Sequence, residues 1–200
     1  EAGADAIRLG FRLTGGADGK LKGGRHIRFP KDTPMTNLHL TILEKLGVPV
    51  AQAIDSLSRF ENVKRRMEVR GVIRDITVYD DFAHHPTAIA TTVAGLRSKV
   101  GKARILAVLE PRSNTMKLGV MKQALPDSLR DADLVFCYGA NLGWSAQEAL
   151  QPIAHKSQVF DDLPAMVQAI CQVAQSGDHI LVMSNGGFGG IHQQLLDALA

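Results

Sequence analysis

The chain has too few cysteines for a disulfide framework, with two in 200 residues. Cys137 and Cys171 both lie within apolar runs and read as reduced core thiols, with no metal-ligand spacing around them. No apolar stretch approaches the roughly 18 residues that a membrane helix needs, and there is no signal-peptide pattern. A cytoplasmic location is the expectation. Charge of one sign is also lacking, since 23 basic residues face 20 acidic ones for a formal +3, without any block of like charge. Nucleic-acid binding would call for a clustered basic face, so that class is set aside. Internal repeats and low-complexity segments are missing. So is a complete nucleotide-phosphate loop. Gly15-Gly16-Ala17-Asp18-Gly19-Lys20 has the lysine, but its first glycine is misplaced and Leu21 stands where Ser or Thr should follow. No HxH or HExxH spacing points to a metal.

What is present suffices for a core. Hydrophobic residues make up 45% of the chain, enough for one domain or two small ones. The first residue is Glu1 rather than Met, so a fragment or processed product is expected. In the N-terminal third, 6–13 and 26–29 read as strands separated by glycine-rich turns. Thr33 and Pro34 suit the N-cap and first turn of a helix running to Leu46 and ended by Gly47. A second helix, about 50–60, has Ala53, Ile54, Leu57 and Phe60 at helical spacing. The basic stretch Val63 to Gly71 then marks a domain boundary, placed between residues 70 and 71.

From Val72 strands and helices alternate. Strands are expected at 73–79, 103–109, 133–138, 158–160 and 179–184, with helices at 87–99, 115–124, 144–150, 163–174 and 191–199. That order predicts an α/β fold: a Rossmann-like, mostly parallel sheet with helices on both faces, preceded by a smaller helical and hairpin unit.

In such a sheet the loops after the strands gather on one edge, where ligands bind. Three of them are rich in polar groups. The first is Asp80-Asp81-Phe82-Ala83-His84-His85-Pro86. An ionised aspartate here suits ribose hydroxyls, which donate hydrogen bonds. A helix N-cap for Asp80 or Asp81, and ordinary surface histidines, are the competing readings. Metal on this cluster is disfavoured, because adjacent histidines in a turn rarely face one ion. The second loop, Glu110-Pro111-Arg112-Ser113-Asn114-Thr115-Met116-Lys117, offers Arg112 and Lys117 to a carboxylate, or is a solvated basic loop. The third, Ser184-Asn185-Gly186-Gly187-Phe188-Gly189-Gly190, places four glycines before a helix. Bare backbone amides and a helix N-terminus suit a carboxylate or phosphate. A tight turn needing positive φ is the alternative.

These three segments, with Arg65-Arg66-Met67-Glu68 before them, resemble the C-terminal part of the Mur ligases. The resemblance implies that residues 1–70 are the tail of a central ATP-binding domain whose phosphate loop is missing, and that 71–200 form the substrate-binding domain. It implies an ATP-dependent ligase that activates the carboxylate of UDP-N-acetylmuramate as an acyl phosphate and joins it to the tripeptide L-Ala-γ-D-Glu-meso-diaminopimelate in peptidoglycan recycling. ATP and Mg²⁺ would be held mainly outside this chain, which alone would be inactive. By motif position, Arg66 and Asp81 are assigned to ATP. His84 and His85 fall on the nucleotide or incoming-amine side. Arg112, Asn114, Lys117, Ser184, Asn185, Gly186 and Gly187 fall on the peptide side. No residue is assigned to catalysis or metal. The alternatives are a stand-alone peptide- or nucleotide-binding module, or a related ligase adding L-alanine.

Overall fold

Five consecutive apolar residues, Ile105–Leu109, are all buried. They form a central parallel strand covered on both faces, where polar alternation would bury unpaired groups. The structure is a computed structural model that describes residues 35–59, 63–112 and 122–200. Contacts divide the chain into two units, Glu1–Glu61 and Asn62–Ala200.

In the first unit α1 spans Met35–Lys45 and α2 spans Val50–Ser58. Gly47 ends the turn after α1 at φ 89°. There Val48 N–H reaches back to Leu43 O at 2.9 Å, a closure that needs the left-handed region. In α2 Ala53 is buried, whereas Ile54 is 52% exposed. The expected strands at 6–13 and 26–29, the Thr33-Pro34 helix start and Phe60 lie outside the described residues.

The second unit holds β1 (Glu68–Ile73), β2 (Ile76–Asp81), β3 (Ile105–Leu109), β4 (Leu134–Tyr138), β5 (Ser157–Phe160) and β6 (His179–Met183). They form one sheet in the order β1-β2-β6-β3-β4-β5. Only β1 runs antiparallel to its neighbour; every other adjacent pair is parallel. The helices are α3 (Pro86–Val100), α4 (Leu125–Ser128), α5 (Ala146–Ala149), α6 (Leu163–Val173) and α7 (Ile191–Leu199).

Alternation along β3 splits the core in two. Ile105, Ala107 and Leu109 pack with Ile89, Val93 and Leu96 of α3 and with residues of α4 and α5. Leu106 and Val108 pack on the opposite face with Met166 and Ile170 of α6 and Ile191 and Leu195 of α7. The expected mostly parallel sheet with helices on both faces is what the chain forms. Asp162 caps α6 by accepting from Ala165 N–H at 2.8 Å, and Ser145 caps the single turn of α5 by accepting from Glu148 N–H at 3.1 Å.

Three expectations need correction. Residues 73–79 are not one strand. Arg74 and Asp75 sit at φ 48° and 64° and make a two-residue hairpin turn between β1 and β2. Positive φ at both central residues marks a type I′ turn, normally signalled by Asn-Gly, so its sequence cue is weak here. Second, the boundary at 70/71 cuts through β1, and the contact boundary falls at 61/62 instead. Gly71 does not turn the chain. It is a strand residue whose missing side chain lets Leu196 of α7 approach, with an added Cβ standing 2.8 Å from Leu196 Cδ2. Third, of the helix expected at 115–124, residues 115–121 lie outside the described residues, and Lys122–Ala124 form instead a 3₁₀ turn running into α4.

Candidate functional site

Parallel register brings the strand ends into line. Asp81 pairs with Met183, Met183 with Leu109, and Leu109 with Cys137. Four neighbouring loops therefore start along one edge, at Phe82, Ser184, Glu110 and, one residue further along its strand, Gly139, with strands about 4.8 Å apart. Three of these loops are the ones singled out by sequence.

The first loop is held by its own aspartates. Asp81 is buried, at 4% exposure. Its Oδ2 accepts Met67 N–H at 2.9 Å, and its Oδ1 accepts Ala83 N–H at 2.8 Å and Thr92 Oγ1 at 3.3 Å. A carboxylate has about four acceptor sites, so one is left for another donor. Asp80 Oδ1 lies 3.4 Å from both Arg65 Nε and His192 Nε2. Neither aspartate caps α3, whose N-cap is His85 without a side-chain bond. The guanidinium carbons of Arg65 and Arg66 stand 5.2 and 5.4 Å from the centroid of the Phe82 ring, within cation–π range. The rings of His84 and His85 lie 4.1 Å apart. His84 Nδ1 bonds Phe82 O at 2.8 Å, while His85 Nδ1 is buried without a hydrogen-bond partner. Burial, and secondly the neighbouring His84, hold His85 below the usual histidine range.

The second and third loops meet. Ser184, 1% exposed, donates from Oγ to Glu110 Oε2 at 2.6 Å and accepts Gly186 N–H at 2.9 Å. Arg112 lies over Gly186 so closely that a Cβ there would clash with Arg112 Nη1. Asn185 Oδ1 is a second buried acceptor without a partner. Such orphaned groups are costly and mark places where a ligand or water completes the bonding. The glycines divide by role. Gly189 and Gly190 sit at φ 58° and 71°, as a strand-to-helix turn requires. Gly186 makes room for Arg112, and Gly187 has φ −78° with open space beside it. Asn114 and Lys117 lie outside the described residues.

Beside the second loop a cavity of about 210 Å³ opens toward the loop after β4, lined by Glu110, Arg112, Tyr138 and Asn141. Sequence reasoning missed Glu110, Tyr138 and Asn141. Their available signal was position, since Gly139-Ala140-Asn141-Leu142-Gly143 follows an expected strand as the other loops do. It also missed Arg65. Among the described residues no three His, Cys, Asp or Glu side chains gather as a metal shell, and no helix is long and apolar enough to cross a membrane.

Residues 65–186, which carry the first two loops and the start of the third, match the family described as Mur ligase, glutamate ligase domain. The chain belongs to the Mur ligase family. It is 53% identical over 157 residues to the UDP-N-acetylmuramate–L-alanyl-γ-D-glutamyl-meso-2,6-diaminoheptandioate ligase of Escherichia coli K12, covering 78% of this chain and 34% of that protein. A crystallised domain described as coming from a ligase of the same specificity in Haemophilus ducreyi 35000HP is 53% identical with a TM-score of 0.60, covering 68% of this chain and all of that one. A murein peptide ligase from Psychrobacter arcticus 273-4 is 41% identical with a TM-score of 0.65, covering 84% of this chain and 37% of that one. The chain thus spans about a third of the length of the curated Mur ligase relatives it matches.

Proposed function

We propose that this chain is the C-terminal, substrate-side part of a cytoplasmic ATP-dependent ligase that joins L-Ala-γ-D-Glu-meso-diaminopimelate to UDP-N-acetylmuramate in peptidoglycan recycling. The observation that carries the reading is the 53% identity over 157 residues to a relative named for that reaction. Residues 1–61 belong to the tail of the central domain in this account.

ATP, when bound, supplies the phosphoryl group that turns the muramate carboxylate into an acyl phosphate. The chain's own groups are compatible with one edge of the nucleotide. Asp81 keeps one acceptor site for a ribose hydroxyl beside its three internal bonds, and Arg66 is cationic and close to the first loop. His84 and His85 sit between that edge and the incoming amine. A neutral His85 with an unpartnered Nδ1 can orient an amine N–H without adding like charge. Arg112 offers a fork to a peptide carboxylate and rests on the bare Cα of Gly186, in the loop that also carries Ser184, Asn185 and Gly187. Asn114 and Lys117 extend the same loop. Mg²⁺ would be held mainly by the rest of the ligase in this account. The work of this part is positioning and charge neutralisation.

The test is ATP-dependent turnover by the full-length ligase with the tripeptide against L-alanine. Arg112→Ala should raise the tripeptide KM by roughly 30-fold or more, the loss of a charged hydrogen bond at about 2–5 kcal/mol. Preference for L-alanine, or tripeptide kinetics indifferent to Arg112→Ala, refutes the assignment.

A further inference from the structure

Arg65 is the side chain through which the segment entering the second unit grips the far side of the site. The unit begins at Asn62, and Arg65 reaches residues more than a hundred positions away. Its Nη2 donates to Ser184 O at 2.5 Å and to Gly186 O at 2.8 Å. Its Nε points at Asp80 Oδ1, and its guanidinium lies over Phe82. The backbone is fixed as well. Arg65 sits at φ 58°, its N–H donates to Glu68 Oε2 at 2.9 Å, and its carbonyl accepts Phe82 N–H at 2.9 Å. Left-handed backbone at a long side chain persists only where surrounding bonds over-determine it.

Gly186 connects this grip to the acid-binding group. Its carbonyl is held by Arg65, its N–H by Ser184 Oγ, itself bonded to Glu110, and its bare Cα face carries the Arg112 side chain. A shift of the Gly186 peptide therefore moves the surface on which Arg112 rests. We infer that Arg65 is a positioning residue: acting through Gly186, it sets where Arg112 presents its guanidinium to the substrate carboxylate. A lysine keeps the charge but offers one ammonium in place of a planar fork, so it cannot hold two carbonyls and Asp80 in the same geometry.

The inference rests on the ligase reading for its kinetic arm only, and a second arm judges it on this chain by itself. In ¹H–¹⁵N spectra, Arg65→Lys and Arg65→Met should shift the Gly186 and Gly187 amides and the Arg112 Nε–H, leaving amides of β4 and β5 in place. Circular dichroism checks that each variant is folded. Folded variants with unmoved Gly186 and Arg112 signals overturn the proposal. In the full-length ligase Arg65→Met should raise the tripeptide KM by about tenfold, since a misplacement of about 1 Å costs up to ~100-fold. The KM for ATP should stay within about twofold, and Arg65→Lys should fall between wild type and Arg65→Met. Combined with Gly186→Ala, which displaces Arg112 directly, the effects should be less than additive. Equal rises in both KM values, or full additivity, overturn the proposal. Absence of tripeptide turnover in the wild-type ligase would instead refute the ligase reading, and the spectral arm would still decide the linkage.

Discussion

Asp81 carries two assignments that make different predictions. By motif it faces the ATP ribose; by geometry it is a clasp. Its carboxylate ties the segment before β1 to the end of β2 through Met67 N–H, and it fixes the start of the first loop through Ala83 N–H and Thr92. Asp81→Ala removes the acceptor and leaves two part-buried or buried backbone donors unsatisfied. At about 1–3 kcal/mol each, the loss is roughly 2–6 kcal/mol, against a total stability of about 5–15 kcal/mol for a domain. Asp81→Asn keeps the shape but turns an NH₂ toward one of the two N–H groups, for a loss of roughly 2–3 kcal/mol. Thr92→Val deletes only the 3.3 Å contact and should cost about 1 kcal/mol or less. The assay is urea unfolding of this chain, without nucleotide, followed by far-UV circular dichroism. The expected order is Asp81→Ala below Asp81→Asn, and Asp81→Asn below Thr92→Val, with unchanged m-values. An Asp81→Asn variant within about 0.5 kcal/mol of wild type would refute the clasp. The outcome bears on kinetics too. A weakened use of ATP by Asp81→Ala counts as a lost ribose contact only where the stability loss has been measured alongside it.

Three further perturbations have signs fixed by the structure. Burial is the leading cause that lowers the pKa values of His85, His179 and His192. The unfolded chain therefore binds protons first as pH falls: stability is fully present above about pH 6.5 and declines on acidification toward the depressed folded values. Urea midpoints at pH 7.5 and 5.5 should show this, with a shallower fall in His192→Gln, and a midpoint that rises on acidification would contradict it. Burial, and secondly Asp161, push the Cys137 thiol up to about 12, so a thiol reagent at pH 8 should leave Cys137 unmodified in the folded chain and label it after unfolding. Rapid native labelling would disprove that burial. Arg74 occupies φ 48° in a type I′ turn, and Arg74→Asn should raise the unfolding free energy by a few tenths to about 1 kcal/mol, with a loss of stability as the contrary result.

The parallel sheet was legible because its strands are covered on both faces. Apolar buried runs such as residues 105–109 and 180–183, separated by amphipathic helices of ordinary length, admit few other arrangements. The edge hairpin was not legible, for three physical reasons. Arg74-Asp75 is poor type I′ chemistry, β1 is a bulged edge strand with exposed Val69 and Val72, and Gly71 serves packing rather than turning. The rim was legible as polar loops after strands, and the register delivers them to one line. What each side chain does there was less so. Asp81 spends most of its bonding capacity on the chain itself, a fact set by Met67 and Thr92 at separations of 14 and 11 residues. Arg65 and Arg66 are adjacent and chemically alike, so no local pattern says which one reaches the glycine loop.

Strand order explains why these loops form a crevice rather than a row. The connection leaving β2 leads to α3, and α4, the first described α-helix after β3, packs on the same face, that of Ile89 and Leu125. The connection leaving β6, which lies between them, leads to α7 on the face of Ile191. Neighbouring strands whose exits diverge leave a gap above the sheet edge, and open α/β sheets bind ligands at such gaps. Here β6 has a diverging neighbour on each side, so the glycine loop is flanked by two gaps. Toward β2 the gap is closed by Arg65 and by the acidic loop. Toward β3, among the described residues, it is bridged by Glu110 N–H on Met183 O, by the Ser184–Glu110 bond and by Arg112 resting on a bare glycine. That side leaves the Arg112 fork exposed, and the cavity opens one strand further on, between the loops after β3 and β4. Under the proposed function, the exposed Arg112 on the β3 side would take the anion end of the substrate, and the contacts on the β2 side would hold the glycine loop beneath it.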